Sequence, residues 1–252
     1  MTYLEGFIVA VPAENRDAYR RHAATAVPLF AEFGATRLVE AWEDDVADGK
    51  VTDFRRAVQA KEGEKVVFSW LEYPDKATRD SATEKMMADP RMEQIGATMP
   101  FDGRRMVYAG FASVLDEGTA AGSYVDGFVL PVPAGNREAY LALAQKAAAD
   151  FEKHGANRLV EAWGDDVRDG QVTDFRRAVK AEEGENVVFS FLEWPDKATR
   201  DLAWSKMKED PGMQPDHGNM PFDGKRMFWG GFEVLVDSKA GIGLETAERE
   251  IA

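Results

Sequence analysis

Residues 44–58 read DDVADGKVTDFRRAV, and residues 165–179 read DDVRDGQVTDFRRAV. The two stretches differ only at Ala47 against Arg168 and Lys50 against Gln171. Working outward from them, a shift of 121 residues lays Tyr124–Asp237 over Tyr3–Asp116 without a gap, with about six positions in ten identical. The 252-residue chain is therefore two copies of one unit of roughly 115 residues, each long enough to bury its own core. The sequence predicts a first repeat over residues 1–117, a second over 123–237 and a flexible tail over 238–252. Asp116–Ser123, DEGTAAGS, is small, polar and glycine-containing, the composition of a linker.

Within a copy, Leu4–Val11 is rich in β-formers, and Asn15 is placed to cap a helix that Gly34 stops near Phe33. Thr36–Trp42 follows as a strand, then an Asp- and Gly-rich loop, an extended stretch over Phe54–Ala60, and the apolar strand Val66–Tyr73. Pro74-Asp75 opens a second helix, which Asp89-Pro90 closes, and Arg105–Leu115 is the last strand. The order β-α-β-β-α-β is the split βαβ, ferredoxin-like plan of an α+β fold. VVFSWL at 66–71 and VVFSFL at 187–192 are apolar on both alternating faces, so the sheet face away from the helices also needs cover. The other copy's sheet supplies it, which predicts two ferredoxin-like domains packed sheet to sheet as a pseudo-symmetric α+β barrel. Pairing of the repeats within the chain then makes an external oligomer unnecessary.

Composition narrows the function classes. A net charge of −14 opposes a phosphate backbone, so no nucleic-acid partner is expected. No apolar run approaches the roughly 20 residues of a bilayer span, and the apolar stretch near residue 1 recurs internally at Ser123–Tyr140, so it reads as a strand rather than a leader. No membrane partner is expected, and a cytoplasmic location is. The absence of cysteine removes disulfides, thiolate nucleophiles and zinc–thiolate sites. His22, His154 and His217 face Leu143, Phe33 and Gly96 in the other copy, so no repeated histidine–metal or haem-ligand site is present. Ser69 and Ser190 are matched but lack a matched histidine to activate them. No phosphate-binding glycine loop occurs, and no cofactor is expected.

Candidate chemistry rests on carboxylates. Alternation puts Leu38, Glu40 and Trp42 on one face of their strand, and Val66, Phe68, Trp70 and Glu72 on one face of the next. If those faces coincide, two carboxylates sit among tryptophans, and Glu161, Trp163, Phe191 and Glu193 repeat the arrangement. An apolar, aromatic setting raises a carboxyl pKa toward neutrality, where a pair can divide acid and base roles. The competing explanation is ion pairing with arginine or an end in water. Arg105 and Arg226, opening the last strands, are candidates to anchor an anionic group, or partners for nearby aspartates. Trp42, Phe54, Phe68, Trp70, Met86, Met99, Phe101, Met106 and Phe111 can line an apolar pocket under the first helix or simply fill a core. Asp44, Asp45, Asp48 and Asp53, matched by Asp165, Asp166, Asp169 and Asp174, invite a hard cation, but Val46 and Arg55 break the EF-hand spacing and no metal ligand is assigned.

Three long motifs occur twice: E-A-W-x-D-D-V-x-D-G-x-V-T-D-F-x-x-A-V from Glu40 and Glu161, W/F-L-E-Y/W-P-D-K-A-T-R-D from Trp70 and Phe191, and M-P-F-D-G-x-R-M from Met99 and Met220. On these the chain resembles the family of domain of unknown function 1428 along nearly its whole length. The resemblance implies the dimeric α+β barrel superfamily, which includes small cofactor-light monooxygenases, isomerases, haem-degrading enzymes and stress proteins, and it implies no particular reaction. The resulting expectation is a small-molecule-binding protein that uses Glu40 and Glu72 (Glu161 and Glu193) as acid and base beside Trp42, with Arg105 orienting an anionic ligand. A non-catalytic structural or stress-associated interaction module is the alternative, and divalent-cation binding at the Asp loops a weaker one.

Overall fold

The computed structural model describes residues 2–210 and 219–244. The first half runs β1 (Tyr3–Pro12), α1 (Arg16–Glu32), β2 (Arg37–Asp45), α2 (Phe54–Ala57), β3 (Glu64–Tyr73), α3 (Lys76–Ala88), α4 (Pro90–Ala97) and β4 (Val107–Gly118). The second repeats it as β5 (Tyr124–Pro133), α5 (Arg137–Lys153), β6 (Arg158–Asp166), α6 (Phe175–Ala178), β7 (Glu185–Trp194), α7 (Lys197–Glu209) and β8 (Phe228–Asp237). Each half is a ferredoxin-like α+β unit, and together they form one closed antiparallel barrel in the order β1-β3-β2-β8-β5-β7-β6-β4.

The two sheets do more than face each other. The β2 edge of one half bonds the β8 edge of the other, with Trp42 opposite Glu233, and β4 bonds β6, with Ala112 opposite Trp163. Every edge of the described strands is thereby consumed, which leaves none of them open for unwanted pairing.

The barrel interior is filled with stacked rings. Phe68 lies 4.5 Å from Phe189 at an interplanar angle of 4°, and Trp70 lies 4.0 Å from Phe191 at 22°. Gly6 and Gly127 make room for this stack, because a Cβ on either would stand 2.9 Å from the Phe189 or Phe68 ring. The repeated block at 44–58 closes one end. It was expected to be extended over Phe54–Ala60; instead Asp53 accepts from the Arg56 amide at 2.7 Å and starts α2. Phe54 then enters the barrel edge-on to Phe68, Phe228 and Phe232. Thr52 and Thr173 donate across the halves to the Ala178 and Ala57 carbonyls, at 2.5 and 2.6 Å. A packing and capping role accounts for how little this block varies between the copies.

Helix boundaries follow local chemistry. Gly34, at φ +107°, ends α1 as read, whereas Asn15 does not cap it: its side-chain amide donates to the Pro100 carbonyl at 2.8 Å and ties down the M-P-F-D-G loop. Asp75 caps α3 through the Thr78 amide, and Asp89 both ends α3 and caps α4, a helix not anticipated in the sequence. Of the residues read as a flexible tail, 245–252 lie outside the described ones. Ser238 accepts from the Leu38 amide at 2.8 Å, and Leu244 packs against the cluster around Trp42.

Candidate functional site

Register decides which predicted residues meet. Glu40 lies opposite Ser69, whereas Glu72 lies opposite Arg37. Side chains alternate across a sheet, so Glu40 shares its face with Leu38, Ser69 and Leu71, while Trp70 and Glu72 point the other way. The expected pairing of Glu40 with Glu72, and of Glu161 with Glu193, is therefore corrected: the two faces do not coincide. Glu40 and Glu161 look outward beneath the helices; Glu72 and Glu193 look into the barrel.

Inside, Glu72 and Glu193 close the end opposite Phe54. Arg37 grips Glu193 through two bonds of 2.8 Å and also bonds Asp237, at 2.6 Å, and Glu72, at 3.3 Å. Arg158 takes Glu72 at 2.7 Å and Asp116 at 2.7 and 2.8 Å. The Trp70 indole donates to Glu72, and Arg37 and Arg158 lie over the Trp70 and Phe191 rings. These carboxylates are held in ion pairs between stacked rings, so Trp70 and Phe191 belong to the core and line no pocket on the Glu40 side.

Arg105 and Arg226 are likewise engaged. Arg105 forms a two-pronged pair with Glu64 at 2.6 and 2.7 Å, and Arg226 one with Glu185 at 2.7 Å, and each also bonds an aspartate of its own loop. Neither lines the cavities beside Glu40 and Glu161, so the anion-anchoring role expected of them has no place there. The Asp loops tie the halves together: Asp44 accepts from Tyr124 and pairs with Lys197, Asp45 pairs with Arg200, and Asp165 and Asp166 engage Tyr3 and Arg79 in the mirror arrangement. Among the described residues, no group of three or more metal-ligating side chains is disposed to hold an ion.

The remaining candidates converge under α1. A cavity of about 360 Å³ lies between the outer face of β1, β3 and β2 and the helices α1, α3 and α4. Met86, Met99, Phe101 and Met106 line it as anticipated, whereas Phe54, Phe68, Trp70 and Phe111 are inside the barrel and Trp42 is packed beside Tyr19. In its wall, Glu40 accepts a hydrogen bond from the Tyr19 hydroxyl at 2.7 Å and one from Ser69. Burial pushes the Glu40 carboxyl up to about 7, against the opposing pull of those two donors. Tyr19, fully enclosed next to that carboxyl, is raised well above its ordinary value and keeps its proton. His22, in the same wall, is lowered by burial and faces the cavity as a neutral imidazole at pH 7.

The second half keeps the dyad. Tyr140 donates to Glu161 at 2.5 Å, with Ser190 as the further donor, and Glu161 is again raised to about 7 by burial. Leu143 stands in place of His22, and the space beside Glu161 is about 130 Å³. Trp163, like Trp42, packs beside its tyrosine and carries an arginine, Arg137, over its ring.

The sequence does not identify Tyr19 and Ser69 as partners of Glu40, or His22 as a neighbour in the same cavity wall. Tyr19 and Tyr140 are matched between the copies, and so are Ser69 and Ser190, which is the one trace of the dyad in the sequence. That a helix residue and a strand residue 21 positions apart share a bond is a tertiary fact.

The family described as "Protein of unknown function (DUF1428)" matches residues 2–103 and again 123–224. The uncharacterized protein YbaA of Escherichia coli K12 is 64% identical over 117 residues, which are 46% of this chain and 100% of that protein. Two crystal structures named as putative monooxygenases share the fold. The one from Fusobacterium nucleatum has a TM-score of 0.53 at 11% identity, over 94% of this chain and 93% of its own. The one from Lactobacillus acidophilus has 0.54 at 10%, over 94% and 95%. At these identities the likeness is one of fold.

Proposed function

The chain belongs, in both of its halves, to the DUF1428 family of proteins of unknown function, and we propose that it binds a small, largely apolar molecule in the cavity under α1 and moves a proton to or from it through Glu40. The observation that carries this reading is a carboxyl raised to about 7 in the wall of an apolar cavity of ligand size. Near neutral pH such a group is present in both protonation states, which suits it to take a proton from a carbon or oxygen acid and return it. Tyr19 is the positioning residue. Its hydroxyl holds one carboxyl oxygen of Glu40 in the cavity wall. The putative monooxygenases with the same fold are compatible with an enzyme here, and a cavity wall without lysine or arginine among the described residues favours a neutral or cationic ligand over an anionic one.

Deuterium exchange at the α-carbon of 2-tetralone, an apolar ketone with an acidic C–H, tests the proposal. Exchange above the buffer rate that falls by roughly a hundredfold in Glu40→Gln and survives in Glu161→Gln is expected. Exchange equal in wild type and Glu40→Gln removes Glu40 as the proton-transfer group. Binding without exchange turns the reading into that of a non-catalytic carrier.

A further inference from the structure

Glu5 lines the same cavity, and only 9% of its surface is exposed. No hydrogen bond from the described residues reaches its carboxyl, and the nearest cation, Arg79, is committed to Asp166, Asp80 and the Tyr3 hydroxyl. Two further groups near it, the Tyr73 hydroxyl and the Arg79 Nε, have no hydrogen-bond partner among the described residues. Buried polar groups are almost always paired, so a carboxyl in the cavity wall that receives no protein donor, with two such groups near it, calls for a partner.

The second half displays what this position requires when it is satisfied internally. Its counterpart, Asp126, accepts from the Trp194 indole at 2.9 Å, the Trp204 indole at 2.8 Å and Arg200 Nε at 2.9 Å. In the first half, Tyr73 stands for Trp194 and Thr83 for Trp204, and the Thr83 hydroxyl donates to the Arg79 carbonyl instead. Two N–H donors are therefore missing, and the side chain, one methylene longer, lines the cavity. Arg79, unlike Arg200, leaves its Nε unused.

Glu5 also lies at a distance from the proton-transfer group. It is opposite Leu71, which is opposite Leu38, whereas Glu40 is opposite Ser69. Two strand spacings and two residues along the strand separate Glu5 from Glu40, roughly 12 Å between Cα atoms. The wall between them is apolar, with Phe7, Leu38, Leu71 and the methionines, and among the described residues it contains no lysine or arginine.

Resting on the reading of this cavity as a ligand site, we infer that Glu5 is a second polar anchor and that the ligand is an elongated apolar amine, its N–H donors on Glu5 and its far end at Glu40. The amine supplies the donors that the two indoles supply in the second half, and a carboxylate ligand is rejected by acidic groups at both ends of the cavity.

The test compares 4-phenylbutylamine, 4-phenylbutan-1-ol and 4-phenylbutanoate by calorimetric titration of the full chain at pH 8. The amine is expected to bind roughly tenfold or more tightly than the alcohol, and the carboxylate more weakly still. Glu5→Gln, which keeps the side-chain shape, is expected to erase the amine's advantage and leave the alcohol unchanged. Ala26→Trp, which fills the cavity from α1, is expected to abolish binding of both. Equal affinity of amine and alcohol in the wild type, or an advantage that survives Glu5→Gln, overturns the anchor while the cavity stands as a ligand site. Failure of every compound to bind, or alcohol binding that ignores Ala26→Trp, overturns the cavity reading and the anchor with it.

Discussion

Glu40 and Glu161 make the residue-scale chemistry of this protein depend on pH in a definite direction. Their ordinary value is 4.5 and the fold raises both to about 7, so the folded state favours the protonated form. The resulting stabilisation is fully present below about pH 4.5 and is lost as the pH rises through about 7. Each glutamate is nearly enclosed, so the loss is on the order of 3 kcal/mol per site. The Glu40→Gln, Glu161→Gln double variant carries no such proton and is expected to be more stable than the wild type at pH 8 and to gain little at pH 5. Urea unfolding at the two pH values measures it; parallel pH profiles for the two proteins would mean that the dyads are ionised in the fold. At this scale the sequence exposed the glutamates but not their partners. Nothing in the spacing of Tyr19, Ser69 and Glu40 distinguishes a hydrogen-bonded trio from three unrelated residues.

At the scale of elements, register is what sorted the predicted site. The one-residue offset between Arg37 opposite Glu72 and Leu38 opposite Leu71 sends one glutamate of each half inward and the other outward. The inward pair completes a buried network of Arg37, Arg158, Glu72, Glu193 and Asp237, with the exposed Asp116 at its rim, that seals one barrel end. Arg37 answers three carboxylates in it, so Arg37→Leu leaves charges buried without their partner. The expected loss is about 3–5 kcal/mol, read from equilibrium denaturation. A loss under about 1 kcal/mol would mean that the carboxylates take up protons or water without difficulty. The short helix over Phe54–Ala57 teaches the same lesson: the stretch reads as extended along the chain, and only the open barrel end explains why the phenylalanine turns inward and the chain coils.

For the whole molecule, the barrel closes only because each half offers the edges the other lacks. β2 and β4 of the first half bond β8 and β6 of the second, and the Asp loops reach across to Arg200, Arg79 and the two tyrosines. The Escherichia coli relative is matched along its whole length by 117 residues, about one half of this chain. Residues 1–117 produced alone would expose the β2 and β4 edges and the apolar inner sheet face, and self-association is the direct way to cover them. The isolated half is expected to behave as a dimer of about twice its mass in light scattering after size exclusion, with β2 of one copy on β4 of the other. A folded, stable monomer would show that closure between halves is not what holds the sheet. Duplication also frees the halves to differ: the first keeps an unsatisfied Glu5 beside a large cavity, and the second fills the corresponding position with two tryptophans.

The sequence by itself determined the twofold repeat, the β-α-β-β-α-β order, the ferredoxin-like class and the need to cover both sheet faces. These follow from identity at a fixed offset, from hydrophobic period and from turn and cap residues, all of them local along the chain. It also pointed to an apolar, methionine-lined space under the first helix and to Glu40 and Glu161. Only the tertiary structure decided that Glu72, Glu193, Arg105 and Arg226 are consumed in ion pairs, that Tyr19 and Tyr140 bind the outward glutamates, and that Glu5 receives no hydrogen bond from the described residues. Those outcomes depend on which strand residues lie opposite one another and on which donors from distant elements arrive at a buried carboxyl, and neither is written in the order of residues along one strand.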